Sequence, residues 1–111
     1  MPSNRRCTKR VADRQRHFIL PLAEQDIADI WVNGADRWGL DQADRYFDAM
    51  VKLFNLLSEQ PEIARLRDEF SPPVRIHPYG SHVVVYKTVE TGIAIIRVLH
   101  NRRNILALFG K

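Results

Sequence analysis

Residues 21–57 read PLAEQDIADIWVNGADRWGLDQADRYFDAMVKLFNLL, and this stretch decides the fold. Its first half repeats apolar residues at steps of three and four, which predicts an amphipathic helix that Gly39 ends. We expect Asp41 to cap a second helix of the same kind, which stops before Pro61. Because the link is so short, the two helices are predicted to form an antiparallel hairpin. The apolar stripes comprise Ala23, Ile27, Ile30, Trp31, Ala35 and Trp38, then Ala43, Phe47, Met50, Phe54 and Leu57, widened by Tyr46, Val51 and Leu53.

Beyond the hairpin the pattern changes from helical to extended. We expect a loop from Pro61 to Pro73 with a helical turn at Glu62–Leu66, followed by an antiparallel meander of three strands. Both alternating sets of the last two strands are mostly apolar, so the second face of the sheet should be partly covered, by the segment Ile105–Phe109 or by a partner chain. The predicted strands are Val74–Pro78, His82–Val89 and Ile93–Leu99, with a further short strand at His17–Leu20 before the hairpin.

Charge is distributed unevenly along the chain, whose 111 residues carry a net charge of +4. Residues 1–17 hold six Lys or Arg against one acid, residues 18–70 hold five against eleven, and residues 71–111 hold six against one. The acids of the hairpin are typical of a solvated surface. The basic end, which includes His100-Asn101-Arg102-Arg103, predicts contact with an anionic partner.

The composition, 45% hydrophobic and 27% charged, is typical of one soluble domain with a single core. We assign residues 16–111 to that domain and residues 1–15, which show no periodicity, to a basic flexible arm. The apolar runs are too short to span a membrane, and no secretory signal is recognisable. Cys7 is the only cysteine, which favours a reducing cytoplasmic location without a disulfide. No Cys/His set has zinc spacing, so we expect neither a metal nor a cofactor.

The order of these elements and several short motifs resemble the ParE branch of the ParE/RelE toxin superfamily over about residues 16–110. The resemblance implies an α+β fold: a short N-terminal strand, an antiparallel helical hairpin packed on a small antiparallel sheet, and a short C-terminal helix. Leu20 departs from the family, which often carries Ser or Thr there as a helix cap. The motifs are Pro21-Leu22-Ala23-Glu24, Asp26-Ile27, Ile30-Trp31, Arg37-Trp38-Gly39, Ala43-Asp44-Arg45-Tyr46, Pro61-Glu62, Arg67-Asp68-Glu69 and Arg97-Val98-Leu99-His100-Asn101-Arg102-Arg103-Asn104-Ile105.

The resemblance implies the toxin of a bacterial type II toxin-antitoxin system. Such a toxin poisons DNA gyrase without a catalytic residue and is neutralised in a hetero-oligomer by a ParD-like ribbon-helix-helix antitoxin, which folds a disordered segment over the hairpin and sheet. The residues implied in target binding are Arg97, His100, Arg102 and Arg103. Those implied in antitoxin binding are Ile27, Trp31, Trp38, Tyr46, Phe47, Val84 and Tyr86.

Two alternative functions stay open. The RelE branch of the same fold cleaves mRNA on the ribosome, and such cleavage needs proton transfer and cations that stabilise the phosphorane. Its catalytic set would be Arg75, Arg97, His100 and Arg103, with His77 or His82 as other proton carriers. Against it, the chain lacks the Tyr or His that RelE-like nucleases commonly carry in the last segment. The other alternative is a non-toxic module that only binds an antitoxin.

Overall fold

The computed structural model describes residues 16–102. Its elements follow the order that the sequence predicts: one strand, two helices and then strands. The predicted arm over residues 1–15 and the predicted C-terminal helix lie outside the described residues, as does the segment 105–109. The elements are β1 (Arg16–Ile19), α1 (Pro21–Trp38), α2 (Leu40–Glu59), a 3₁₀ turn (Pro61–Ile63), β2 (Leu66–Arg67), β3 (Val74–Tyr79), β4 (His82–Val89) and β5 (Gly92–His100).

A single glycine joins the two helices. Gly39 has a φ of 96° and a ψ of 165°, a conformation that is nearly restricted to glycine. Its amide donates to the carbonyl of Ala35 and its carbonyl accepts from the amide of Ala43, so the residue ends α1 and begins α2. The prediction that Asp41 is the N-cap is therefore wrong by two positions. Asp41 lies in the first turn of α2, where its charge complements the helix dipole.

The sheet has the strand order β1-β5-β4-β3-β2. The meander of β3, β4 and β5 is antiparallel, as predicted, whereas β1 pairs in parallel with β5. The sheet is therefore mixed. After β1 the chain passes through the hairpin and the strands β2, β3 and β4, and only then does β5 pair with β1. The predicted turn at Glu62–Leu66 divides into the 3₁₀ turn and the short strand β2, which pairs with β3.

The two faces of the sheet carry separate cores. The hairpin covers one face, where Met50, Phe54 and Leu57 pack with buried side chains of β4 and β5 such as Tyr86 and Ile95. The second core consists of the buried residues Phe70, Val74, Val85 and Leu99. Phe70 comes from the loop between β2 and β3. The prediction that the second face is partly covered is thus confirmed, although among the described residues Phe70 provides the cover and the predicted segment 105–109 lies outside them.

A β-bulge changes which residues of β5 face the hairpin. Val85 pairs with Arg97 and the next residue of β4 pairs with Ile95, which leaves Ile96 as an extra residue in β5. Before the bulge the odd-numbered Ile95 belongs to the core under the hairpin, and after it the even-numbered Val98 does. The next even-numbered residue, His100, consequently lies on the hairpin side of the sheet.

Candidate partner-binding groove

A cavity of about 540 Å³ opens at the end of the sheet where β5 finishes. α1 from Ile27 onward and α2 as far as Met50 form its walls, and the β3–β4 turn with the end of β5 forms its floor. We call it the groove. Its lining residues are Ile27, Ile30, Trp31, Asn33, Gly34, Arg37, Trp38, Gln42, Ala43, Tyr46, Phe47, Met50, Ser81, His82 and His100.

The walls of the groove are apolar and partly open to solvent. Trp38 is 64% exposed and Phe47 is 39% exposed. Trp31 is held in place because its indole Nε1 donates to Oδ1 of Asp44 across the hairpin, at 2.9 Å. The guanidinium of Arg37 lies 5.6 Å from the centre of the Trp38 ring, a cation-π contact that keeps this positive charge beside the groove.

The floor of the groove carries two histidines, His82 and His100, which form a polar cluster with Tyr46 of α2 and Tyr79 of β3. The hydroxyl of Tyr46 lies 2.8 Å from Nδ1 of His82 and 3.2 Å from the carbonyl oxygen of Tyr79. Tyr79 donates its own hydroxyl to the carbonyl of Tyr46, so α2 and β3 are joined in both directions. His82 and His100 are directly opposite in the β4–β5 pairing, and their rings meet edge to face with centroids 5.5 Å apart.

Gly80 allows the floor to approach the helix. It has a φ of 56°, and a Cβ at this position would lie 2.5 Å from the hydroxyl of Tyr46. The sequence Tyr79-Gly80-Ser81-His82 therefore forms a tight turn directly under α2. A side chain larger than hydrogen would displace the ring of Tyr46.

Partial burial decides the protonation of the floor. Burial lowers the pKa of His82, and the neighbouring His100 lowers it further. Burial raises the pKa of the Tyr46 hydroxyl, and it also raises that of Tyr79, to which the proximity of Tyr46 adds. At neutral pH the cluster is therefore uncharged at His82 and at both tyrosines.

The other basic feature at this end of the molecule is paired with a carboxylate. Arg97 makes two hydrogen bonds to Asp26 on α1, Nε to Oδ2 at 2.7 Å and Nη2 to Oδ1 at 2.9 Å. The same Asp26 Oδ2 accepts the backbone amide of Val98 at 3.0 Å. Asp26 thereby binds the edge of β5 just beyond the point where β1 ends. Its hydrogen bonds to the guanidinium raise the pKa of Arg97.

Among the residues that the structure describes, those predicted for target binding or catalysis do not form one site. Arg97 is bound to Asp26, whereas His100 and Arg102 are exposed, with the Arg102 amide donating to Nδ1 of His100 at 3.2 Å. Arg75 donates from Nη1 to the carbonyl of Ala64 at 2.6 Å, at the opposite end of β3. Arg103 lies outside the described residues. Among those described, the ribonuclease set is therefore not brought together around His100.

The residues predicted for antitoxin binding divide into two groups. Ile27, Trp31, Trp38, Tyr46 and Phe47 all line the groove. Val84 and Tyr86 have no exposed surface, because they lie beneath the hairpin in the core, and the hydroxyl of Tyr86 donates to the carbonyl of Pro61. In this structure these two are core residues, which corrects their assignment to a contact surface. The sequence favoured a hairpin carboxylate as a partner of Arg97 as much as a contact role, but did not identify Asp26 as that carboxylate. It also missed the contact of Tyr79 with Tyr46, for which the adjacent turn at Gly80 was the only local signal.

A solved structure shares the fold of this chain, and a family model defines its class. The structure titled "Chromosomal ParDE TA system from P. aeruginosa" shares the fold with a TM-score of 0.67 at 15% identity, covering 80% of this chain and 98% of that chain. Residues 18–105 match the family model of the ParE toxin of the type II toxin-antitoxin system parDE.

Sequence relatives agree with this class. Toxin ParE1 of Mycobacterium tuberculosis is 34% identical over 91 residues, which cover 81% of this chain and 93% of the relative. Toxin ParE1 of Caulobacter vibrioides is 34% identical over 88 residues, covering 79% and 91%. The chain belongs to the ParE family of toxins of type II toxin-antitoxin systems.

Proposed function

We propose that this ParE-family toxin is neutralised by a ParD-like ribbon-helix-helix antitoxin, whose C-terminal segment folds into the groove. The observation that carries the proposal is the apolar wall of the groove. Trp38 is 64% exposed and Phe47 is 39% exposed, and both line the same cavity of about 540 Å³. Exposed aromatic side chains around a cavity are typical of protein interfaces, where they dominate the binding energy.

Charge on the hairpin supports a partner segment with basic residues at its edges. Glu24, Asp29, Asp36 and Asp48 are all exposed on the helices whose inner faces form the walls of the groove. A disordered basic segment would be attracted to this surface and would gain its affinity by burying apolar side chains between the helices. Its docking would produce the hetero-oligomer that we expect in the cytoplasm.

We infer DNA gyrase as the target of the free toxin. The basic end of β5 supports this inference, since His100 lines the groove and the exposed Arg102 follows it within two residues. An antitoxin segment seated in the groove would therefore also cover the surface that meets gyrase or its bound DNA. Catalysis is not required, and the internal contacts of Arg75 and Arg97 speak against the ribonuclease alternative.

The target is tested with purified toxin in a gyrase supercoiling and cleavage assay beside a ribosome-dependent mRNA cleavage assay. Each is run with and without the ribbon-helix-helix protein encoded next to the toxin. We expect gyrase inhibition that the antitoxin reverses, and intact mRNA. Cleaved mRNA with active gyrase would instead indicate the ribonuclease, and no effect in either assay would indicate a non-toxic binding module.

The groove is tested separately by antitoxin titration. Combining Trp38→Ala with Phe47→Ala removes two wall residues, so we expect at least about a hundredfold loss of affinity, as for hot-spot aromatics. Ile63→Ala is a matched control, because Ile63 is 44% exposed but lies in the 3₁₀ turn and does not line the groove. Equal affinity of the double variant and the control would place the antitoxin elsewhere.

A further inference from the structure

The floor of the groove differs from its walls in being able to acquire charge. His82 and His100 lie edge to face at the bottom, below the apolar side chains of the hairpin. None of the described residues that line the groove is an Asp or a Glu. A proton on the His82 imidazole would therefore meet no carboxylate of the groove lining.

The groups that face this pair come from every neighbouring element. Tyr46 reaches His82 from α2, and Tyr79 lies beside Tyr46 on β3. The backbone amide of Arg102 donates to Nδ1 of His100, and this contact requires that nitrogen to be unprotonated. From α1 the charged group that lines the groove is Arg37, also a cation. All the full charges among these groups are positive.

We propose that His82, whose ring meets that of His100 edge to face, makes occupation of the groove dependent on pH: the groove holds an apolar, uncharged face of the partner segment while His82 is neutral, and releases it when His82 is protonated. This inference rests on the proposed function, since it concerns the same antitoxin segment. It adds the chemistry of the face that meets the floor, and a regulatory property of the complex.

The free floor tolerates a proton, but a covered floor does not. When His82 is neutral, its tautomer decides the direction of this bond: the Tyr46 hydroxyl donates to Nδ1, or an Nδ1–H donates to the hydroxyl. When His82 is protonated, Nδ1 donates, and the Tyr46 hydroxyl turns to the carbonyl of Tyr79 at 3.2 Å. Solvent above the groove stabilises the charge in the free toxin. A partner segment would remove that solvent, and transferring a charge out of water without a counter-ion is strongly unfavourable.

The experiment is a titration of the wild-type toxin with its neighbouring antitoxin at several pH values from 8.0 to 5.5, with circular dichroism to verify that both proteins stay folded. If binding releases one proton, affinity should fall by about tenfold per pH unit once the pH is below the pKa of His82 in the free toxin. We expect His82→Gln, relative to its own affinity at pH 8.0, to lose most of this dependence. His77→Gln is the matched control and should keep it, because His77 lies on β3 outside the groove.

A second measurement needs no substitution. Proton NMR of the His82 imidazole in the wild-type toxin should give a lower pKa in the complex than in the free protein. A constant affinity from pH 8.0 to 5.5, tighter binding in acid, or an unchanged His82 pKa in the complex would overturn the inference while leaving the proposed function intact. Absence of binding at every pH would overturn the proposed function, and this inference with it.

Discussion

Two polar clusters at the same end of the sheet differ in how their charge is balanced. Arg97 meets Asp26 through two hydrogen bonds, and the two side chains are only 19% and 14% exposed. His82 and His100 meet each other and a tyrosine, without a carboxylate in the groove lining. The first cluster is complete within the described chain and joins α1 to β5. The second is left open on one side, which is the arrangement expected where a partner completes the site.

The largest effect is expected from removing the carboxylate of the balanced cluster. Asp26→Ala would leave the Arg97 guanidinium and the Val98 amide without their acceptor. Leaving a largely buried charge unpaired is costly, so we expect a loss of about 3 kcal/mol in the free energy of unfolding. Urea denaturation measures it, with Asp48→Ala as the control at an exposed position. A loss as small as that of the control would show that Arg97 is free to serve as a contact residue.

His82, in the open cluster of the groove floor, should instead make the free energy of unfolding depend on pH. Burial lowers the pKa of His82, and of His17 beneath Phe54, below the value of 6.5 expected in the unfolded chain. The unfolded chain therefore takes up protons first. The contribution of these two neutral imidazoles to the free energy of unfolding is complete above about pH 6.5. It declines as the pH falls toward their lower pKa values in the folded state.

Urea denaturation between pH 7.5 and 5.5 measures this decline. His82→Gln should reduce the slope of unfolding free energy against pH, and adding His17→Gln should reduce it further. His77→Gln is the control, because His77 is a half-buried histidine of β3 that does not line the groove and whose Nδ1 contacts the carbonyl of Pro78. A slope that His82→Gln leaves unchanged would mean that this imidazole titrates alike in the folded and unfolded chains.

The comparison also indicates what the sequence could predict. The hairpin followed from a 3.6-residue period over more than thirty positions, and the meander from alternation and turn residues, since these patterns are local. The groove walls followed as well, because Ile27, Trp31, Trp38 and Phe47 recur along the two stripes. The depth at which each side chain is buried was not predictable. His82 and Tyr86 share one face of β4, but one lines the groove and the other is buried under the helices.

The floor of the groove depended on features without a local signal. The bulge at Ile96 decides that His100 faces the hairpin, and the run Ile93–Ile96 is apolar at every position, so no break in alternation marks it. Likewise, Asp26 and Arg97 are 71 residues apart in the chain. Their contact follows only from the parallel pairing of β1 with β5, which brings the start of α1 to the end of the sheet. Contacts across such a distance are set by topology rather than by residue spacing.

The smallest effect is expected from a second arginine with the same contact distance. Arg67 reaches Glu69 with Nε and Oε2 2.7 Å apart, the distance also found between Arg97 and Asp26, but these side chains are 33% and 43% exposed. Water already solvates both charges, so Arg67→Ala should lower the unfolding free energy far less than Asp26→Ala once its contact with the Phe70 ring is discounted. Glu69→Ala, which leaves that ring contact in place, is the cleaner measurement. If Glu69→Ala cost as much unfolding free energy as Asp26→Ala, the N–O distance rather than burial would determine the strength of these two ion pairs.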